Sequence, residues 1–189
     1  MPGDVKDGIL RGMYRYRASD NKKAKLRAQL FGSGSILREA LQAQDTLAEK
    51  YGVAADVWSV TSYKQLYVDA TETERWNRLH PGEKARVPYV TRVLGDTPGP
   101  LVAASDYIKT LPLMVSKWMP RRMASLGTDG FGRSEGRQSL RDFFEVDHRF
   151  ITLATLHELQ QDGKIEASAV EKAIRELGIN PEKANPVIS

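Results

Sequence analysis

Two glycine-rich segments of this sequence have the residue types of an anion-binding loop. The first, Gly32-Ser33-Gly34-Ser35, lies between a predicted strand and a predicted helix, where free backbone N–H groups and the helix dipole favour negative charge. It is not the dinucleotide-binding fingerprint, because position 37 is Leu37, and it lacks the lysine of a P-loop. Glycine and serine also make tight turns and cap helices without any ligand, and that is the commoner use. Ser33, Gly34 and Ser35 are therefore candidate anion contacts, with a purely structural turn as the alternative.

The second segment spans residues 127–134 and follows another predicted strand. Its Arg133 has the charge to hold a carboxylate or phosphate beside a helix that is predicted to begin at Ser134. In the alternative interpretation Asp129 pairs with Arg133 and Ser134 only caps the helix, as loop Asp and Ser residues commonly do. Neither loop identifies a reaction.

The lack of cysteine and the spacing of the histidines exclude several kinds of catalytic site. The chain has no cysteine, which excludes disulfides, thiolate zinc sites, iron–sulfur clusters and a cysteine nucleophile, and which fits a reducing cytoplasm. No two of its three histidines have the spacing of a helical metal pair, and the H-E-x-x-H motif is absent although His157-Glu158 begins like it. We expect no catalytic role for His80, His148 or His157.

The excess of positive over negative charge lies at the start of the chain. The formal net charge is +4, and residues 1–27 hold eight basic and three acidic side chains, against 20 and 21 in the rest. In this segment Tyr14 and Tyr16 alternate with Arg15 and Arg17, which is compatible with base stacking beside phosphate contacts. The same alternation is typical of an edge strand with its tyrosines packed inward and its arginines solvated, and it favours the strand over nucleic-acid binding.

The elements that must position these loops follow from the hydropathy pattern. The 189 residues suffice for one domain, and we divide them into a basic arm, 1–24, and an α/β domain, 25–189. No apolar run has the length of a transmembrane helix, and the start lacks the apolar stretch of a signal peptide. Short apolar runs alternate with amphipathic stretches, which predicts a mainly parallel sheet with helices on both faces. The predicted strands are 26–31, 55–61, 101–104 and 123–126.

The helices carry boundary signals of their own. A helix over 37–51 ends at Gly52, which is placed for a left-handed C-terminal cap. Ser62 with Gln65, and Thr71 with Glu74, have capping-box spacing and predict two short helices. A helix within 106–118 is interrupted at Pro112. Three more helices are predicted beyond residue 134, and the tail from Asn180 to Ser189 is expected to be irregular.

Five strings of this sequence resemble one enzyme family. They resemble the C-terminal domain of the homodimeric bacterial pyruvate dehydrogenases, the acetyl-transferring, thiamine-dependent enzymes of the transketolase-like superfamily. The resemblance runs from about Val5 to the last residues, in the same order and without large gaps. The strings are FGSGSILREALQAQDTLAEKYGVAADVWSVTSY (31–63), ERWNRLHPGEKARVPYV (74–90), ASDYIKTL (104–111), LGTDGFGRSEGRQSLRDFFEVD (126–147) and NPEKANPV (180–187).

The resemblance implies a fold and a setting. It implies a three-layer α/β domain with a mixed, mostly parallel sheet of the transketolase C-terminal type. Enzymes of the family decarboxylate pyruvate on thiamine diphosphate with magnesium and then reductively acetylate lipoyl groups. The partners it implies are the remaining domains of the same enzyme, a second copy in a homodimer and the dihydrolipoyl acetyltransferase core, all in the cytoplasm, with no nucleic acid and no membrane.

The residues that hold the family's cofactor have no counterpart here. In the superfamily a Gly-Asp-Gly motif that ends at paired asparagines binds the diphosphate and the metal. The Asp-Gly steps of this chain, at 7–8, 129–130 and 162–163, lack the preceding glycine, and no Asn-Asn occurs. We therefore expect no catalytic, cofactor-binding or metal-binding residue in this chain, which is then a structural, dimer-supporting fragment that is inactive alone. The alternative is a free-standing anion- or nucleotide-binding module that uses the two glycine loops.

Overall fold

The computed structural model of the chain describes residues 5–21 and 23–189, and within them it contains one five-stranded sheet. The strand order is β1-β3-β2-β4-β5; β1 is antiparallel to β3, and the other neighbours are parallel. A mixed, mostly parallel sheet is therefore confirmed. The strands are β1 (Met13–Arg17), β2 (Leu26–Gly32), β3 (Val53–Val60), β4 (Leu101–Ala104) and β5 (Met123–Leu126).

Helices cover both faces of the sheet. One face packs against α2, α7 and α8, and the other packs against α3 and α4, so the predicted three-layer α/β class is correct. Short 3₁₀ turns at Gly34–Ile36 and Ser116–Trp118 complete the chain. The helices are α1 (Lys6–Arg11), α2 (Leu37–Tyr51), α3 (Tyr63–Leu79), α4 (Tyr89–Leu94), α5 (Thr110–Leu113), α6 (Arg137–Phe143), α7 (His148–Gln161) and α8 (Ala167–Glu176).

The central strands are buried on both faces because successive side chains point to opposite layers. In β2, Ala28 and Leu30 join the core under α2 and α7, while Phe31 joins the core under α3. In β4, Val102 joins the core under α2 and α7, and Leu101 joins the core under α3. The continuous apolar runs of the sequence therefore correspond to strands in the interior of the sheet.

Two helix boundaries test the capping predictions. Gly52 ends α2 in the left-handed conformation with φ of 64°, as predicted. Ser62 caps α3 by accepting a hydrogen bond from the Gln65 amide. The second capping box is wrong, because Thr71 lies inside the 17-residue α3 and its Oγ1 donates to the carbonyl of Tyr67. A hydroxyl that bonds back to the preceding turn lets a capping-type residue remain in a helix interior.

The region before β5 contains less helix than the sequence predicts. Between residues 106 and 118 only the four residues of α5 and one 3₁₀ turn are helical. Pro112 is the third residue of α5, where a missing N–H costs nothing, but its ring prevents extension of a longer preceding helix. The tail from Asn180 is irregular, as expected.

The basic segment contributes the edge strand. Met13–Arg17 pairs with β3, and Met13 is fully buried in the core, which confirms the predicted strand. The expectation that both arginines are solvated is wrong for Arg17, which donates to the Leu41 carbonyl at 2.8 Å and to Asp45 at 2.6 Å. The boundary between residues 24 and 25 stays a prediction. Within the described ranges no helix is both long and apolar enough to cross a membrane.

Candidate functional site

The two glycine loops meet at the edge of the sheet where β2, β4 and β5 end, which we call the carboxyl edge. They border a cavity of about 450 Å³, a size that accommodates small-molecule ligands. Its lining contains both apolar and charged side chains. The cavity is lined by Ser35, Ile36, Asp106, Thr128, Gly130, Phe131, Gly132, Arg133, Glu135, Arg137, Leu140, Arg141, Phe144 and Val146.

The first loop contributes Ser35 but not its other candidate residues. Ser35 lines the cavity, and its hydroxyl donates to Asp106 Oδ2 at 3.3 Å. Ser33 and Gly34 lie outside the lining, and the Asp106 carboxylate stands next to Gly34. The negative charge at this turn therefore comes from a side chain of the same chain. The role of Ser33, Gly34 and Ser35 in binding an external anion stays a prediction.

An ion pair joins this loop to the helices behind it. Arg141 donates to Glu39 Oε1 at 2.6 Å and to the Ser35 hydroxyl at 3.1 Å. The other carboxylate oxygen of Glu39 accepts from the backbone N–H of His148 at 3.0 Å and lies 3.3 Å from that histidine's Nδ1. The result is a continuous polar chain from Asp106 through Ser35, Arg141 and Glu39 to His148.

The second loop is not held by the predicted pairing of Asp129 with Arg133, and the role of Arg133 in binding an anion stays a prediction. Arg133 lines the cavity, donates to the carbonyl of Ser189 at 2.6 Å and lies over the Phe143 ring at 4.8 Å. Its predicted partner Asp129 instead accepts from the backbone of Lys109 at 3.0 Å. The predicted cap is also wrong, because α6 begins at Arg137 after Gly136. Glu135 and Gly136 lie between Ser134 and the first residue of α6, and Gly136 has an extended backbone conformation.

The histidines form no metal site in the described part of the chain. His80 donates through Nδ1 to the Trp76 carbonyl at 2.8 Å and stacks on the Trp76 ring. His157 is exposed and His148 faces Glu39. Among residues 5–21 and 23–189 no group of three or more His, Asp or Glu side chains is arranged to hold a metal ion.

Two buried hydroxyls lie at the first loop, one on its Ser33 and one on Tyr63, the first residue of α3. The Ser33 Oγ and the Tyr63 phenol are both inaccessible to solvent, and neither makes a hydrogen bond of good geometry within the described residues. Burial raises the pKa of the Tyr63 phenol, and the nearby Ser33 hydroxyl acts in the opposite direction without cancelling the rise. The Tyr63 side chain therefore stays neutral at physiological pH.

Sequence reasoning missed the residues that organise this edge. Asp106, Glu39 and Arg141 were not singled out, although they form the polar chain. They are separated by between 35 and 102 residues in sequence, and none of them belongs to a catalytic or ligand-binding motif. The sequence indicated this region only through a general rule, that the loops after successive parallel strands meet at the carboxyl ends of those strands.

The chain matches a family model over most of its length. The model described as "Transketolase-like TK C-terminal domain" matches residues 12–147. This range contains the whole sheet, the two glycine loops and the polar chain except for His148.

Curated relatives match along almost the entire chain. The "Pyruvate dehydrogenase E1 component" of Pseudomonas aeruginosa is 46% identical over 99% of this chain, and the protein of the same name from Escherichia coli strain K12 is 44% identical over 98%. The match covers 21% of each relative. The chain thus spans about a fifth of the length of the curated relatives it matches.

Solved structures share the fold at low sequence identity. Transketolase from Leishmania mexicana has a TM-score of 0.53 and 16% identity, covering 82% of this chain and 19% of that one. A second neighbour, titled "Split gene transketolase, inactive beta4 tetramer", has a TM-score of 0.53 and 15% identity over 80% of this chain and 43% of its own. Both support the three-layer fold.

Proposed function

Because this chain belongs to the transketolase-like C-terminal domain family, we propose that it is the C-terminal domain of a longer enzyme of the pyruvate dehydrogenase E1 type. The observation that carries the proposal is the combination of 46% identity over 99% of this chain with coverage of only 21% of the relative. Identity at this level along the whole chain is far above that of the transketolase structures, which share the fold alone.

The longer enzyme would decarboxylate pyruvate and pass the acetyl group to a lipoyl group of an acetyltransferase. We propose that it works as a homodimer in the cytoplasm, bound to the dihydrolipoyl acetyltransferase core. Support for the reaction comes from the names of the relatives and from the five family strings. The lack of cysteine is compatible with a reducing compartment.

Thiamine diphosphate and magnesium would be bound elsewhere in that enzyme. Magnesium takes oxygen ligands in near-octahedral geometry, usually including one or two carboxylates beside the phosphates. In the described ranges no group of three acidic or histidine side chains is available, and the carboxylate nearest to the first glycine loop, Asp106, already accepts from Ser35. These observations support a cofactor site elsewhere in the enzyme, and we derive no catalytic step through the cofactor.

The role of this domain in the enzyme would be structural. The polar chain from Asp106 to His148 joins the loops at the carboxyl edge to α2, α6 and α7. The loop that follows β5 is further fixed by the Thr128 amide, which donates to the Tyr107 carbonyl at 2.9 Å. An edge bonded together in this way would support the other domains without contributing to the chemistry.

Two measurements test the proposal. An antibody against this chain should detect, in extracts of the source cells, a polypeptide about five times heavier than the 21.1 kDa of these residues. Calorimetric titration of the isolated chain with thiamine diphosphate and magnesium should show no binding, and pyruvate should not be decarboxylated. A native product of 21.1 kDa, or cofactor binding by the chain alone, would contradict the proposal.

A second candidate function is anion binding at the cavity. It is favoured by one observation, that both glycine loops border the same space and that Arg133 and Arg137 line it. The Arg137 side chain is exposed, so its charge is accessible to a ligand. Nuclear magnetic resonance titration with inorganic phosphate should shift the amides of Ser35 and Arg133 in wild type but not in an Arg133→Gln, Arg137→Gln variant. Equal shifts in both proteins, or none in wild type, would exclude this function.

A further inference from the structure

The carboxyl edge exposes large apolar side chains that nothing in the described chain covers. Tyr107 and Ile108 follow β4, Phe131 follows β5, and Ile188 lies in the tail; we call these four the apolar edge patch. Phe131 and Ile188 are 83% and 85% exposed, and Tyr107 and Ile108 are more than half exposed. Clustered exposed apolar side chains of this size mark interaction sites on soluble proteins.

The patch is held in place before any partner arrives. The Tyr107 carbonyl accepts from Thr128, and the Lys109 amide donates to Asp129, so the loops after β4 and β5 are bonded to each other. The tail joins them, because Arg133 donates to the Ser189 carbonyl at 2.6 Å. A preformed surface loses little conformational entropy on binding, which favours a stable interface.

The start of the described chain lies at this same edge. Met13 pairs with Val60 at the carboxyl end of β3, so β1 runs away from the edge and α1 lies beside it. The Ile9 carbonyl accepts from the Thr61 hydroxyl at 2.9 Å, which fixes α1 there. Leu10, on α1, is another strongly exposed apolar side chain. Any polypeptide that precedes α1 therefore reaches this domain at the carboxyl edge, at the end of the sheet formed by β1 rather than by β4 and β5.

We infer that the apolar edge patch is the surface on which the preceding part of the longer polypeptide docks. This inference rests on the proposed function, since the relatives are about five times as long as this chain. The chain would enter from that part at α1, and the covalent connection would keep the two surfaces at high effective concentration. Arg133, Arg137 and Glu135 line the same cavity as Phe131 and would form part of the polar rim beside the apolar centre of an interface.

The chain offers a matched reference for a test. Ile108 in the patch and Leu79 at the end of α3 are isomeric side chains that are 54% and 55% exposed. The 17 residues of α3 start at the carboxyl edge and span about 25 Å, so Leu79 lies toward the opposite edge of the sheet. A difference in labelling between Ile108 and Leu79 in one sample would therefore show that a partner covers Ile108, and would not reflect a difference in the intrinsic reactivity of the two side chains.

The experiment is hydroxyl-radical labelling of the longer protein purified from its source, followed by mass spectrometry. We expect Ile108 to be labelled at least about five-fold less than Leu79, because the centre of an interface is packed as densely as a protein interior. Phe131 should be protected as well. Labelling of Ile108 and Leu79 to the same extent would overturn the inference and leave the proposed function intact.

A variant separates docking within one polypeptide from contact between two copies. Ile108→Asp in the longer protein should expose Phe131 to labelling, whereas Leu79→Asp should leave Phe131 protected. Dilution of the wild-type protein to monomers should not change the protection of Ile108. Loss of that protection on dilution would assign the patch to a second copy and overturn the inference. If the source cells contain only a 21.1 kDa product, the proposed function and this inference both fail.

Discussion

Arg141 on α6 donates a hydrogen bond to Glu39 on α2 at 2.6 Å, and this ion pair joins two helices that are 102 residues apart in sequence. The two side chains are only 15% and 12% exposed. Glu39 also accepts from the His148 amide, so one carboxylate connects α2, α6 and the start of α7. Three helices thus depend on a single acidic side chain.

Glu39→Ala should lower the free energy of unfolding by about 2–3 kcal/mol. Removing one partner of a mostly buried pair leaves the other charge without compensation, and the partial exposure of Arg141 moderates the cost. Urea unfolding of the single and double variants with Arg141→Met should reveal a coupling of about 1–2 kcal/mol. The exposed pair of Lys172 and Glu176 is the control, and Lys172→Ala should change stability by less than about 0.5 kcal/mol. Equal effects in both pairs would contradict the structure.

Tyr63→Phe should leave the protein as stable as wild type or more stable by about 1 kcal/mol. The Tyr63 hydroxyl is buried without a good hydrogen bond, so its removal relieves a desolvated polar group. Tyr89→Phe is the matched control, because the buried Tyr89 hydroxyl donates to the Met13 carbonyl at 2.9 Å and its loss should cost about 1 kcal/mol. Thermal unfolding of both variants provides the comparison. A larger loss for Tyr63→Phe than for Tyr89→Phe would refute this description of the site.

Stability should fall in alkaline solution because of the buried tyrosines. Burial raises the pKa of Tyr63 above the ordinary value of 10.0, and burial also raises the pKa of Tyr89. Below the unfolded pKa both states are protonated and the full stability is present. Above it the unfolded state loses the proton first, so the free energy of unfolding decreases as pH rises beyond about 10. Tyr63→Phe should reduce that slope in urea unfolding measured against pH; an unchanged slope would exclude Tyr63 as its source.

Gly99→Ala should destabilise the chain much more than Gly52→Ala. Gly99 has φ of 83°, and a Cβ there would lie 1.8 Å from the backbone oxygen of Arg27, so the turn before β4 would have to move. We expect a loss of about 3 kcal/mol or more. Gly52 has φ of 64° with no atom within 4 Å of a Cβ, so only the left-handed conformation opposes the substitution, at about 1–2 kcal/mol. Urea unfolding of the two variants tests the difference, and similar losses would contradict it.

Asn77→Ala should loosen the exposed loop between α3 and α4. The Asn77 side chain accepts from the Arg86 amide at 2.8 Å and donates to the Arg86 carbonyl at 3.0 Å, while the Arg86 guanidinium stacks on Trp76 at 3.6 Å. Tryptic cleavage after Lys84 or Arg86 should be faster in the variant, because cleavage requires local opening. Asn77→Asp keeps the acceptor and loses the donor, and should give an intermediate rate. Equal cleavage rates in all three proteins would show that this pair of hydrogen bonds does not fix the loop.

Particular residues show how far sequence reasoning reached into the fold and the candidate site. The strands of the sheet and the left-handed cap at Gly52 were predictable, since they follow from local hydropathy and backbone preference. The second capping box failed at Thr71 because a hydroxyl has two local partners, a forward amide or a backward carbonyl, and burial of the flanking Leu66 and Ala70 favours the continuous helix. The predicted pairing of Asp129 with Arg133 is wrong because the Asp129 carboxylate instead accepts from the backbone N–H of Lys109, 20 residues away in sequence.

The sequence by itself determined the three-layer class, the arrangement of glycine loops at strand ends and the membership of the chain in its family, because these depend on periodicity and on contiguous strings. Only the tertiary structure decided which charges meet at the carboxyl edge and that Asp106 accepts a hydrogen bond from Ser35 of the first loop. It also decided that the apolar side chains around Ile108 lie at the same edge of the sheet as the start of the described chain. The physical reason is distance along the chain. Contacts between residues 71 to 109 positions apart are set by the packing of whole strands and helices, and no local pattern encodes them.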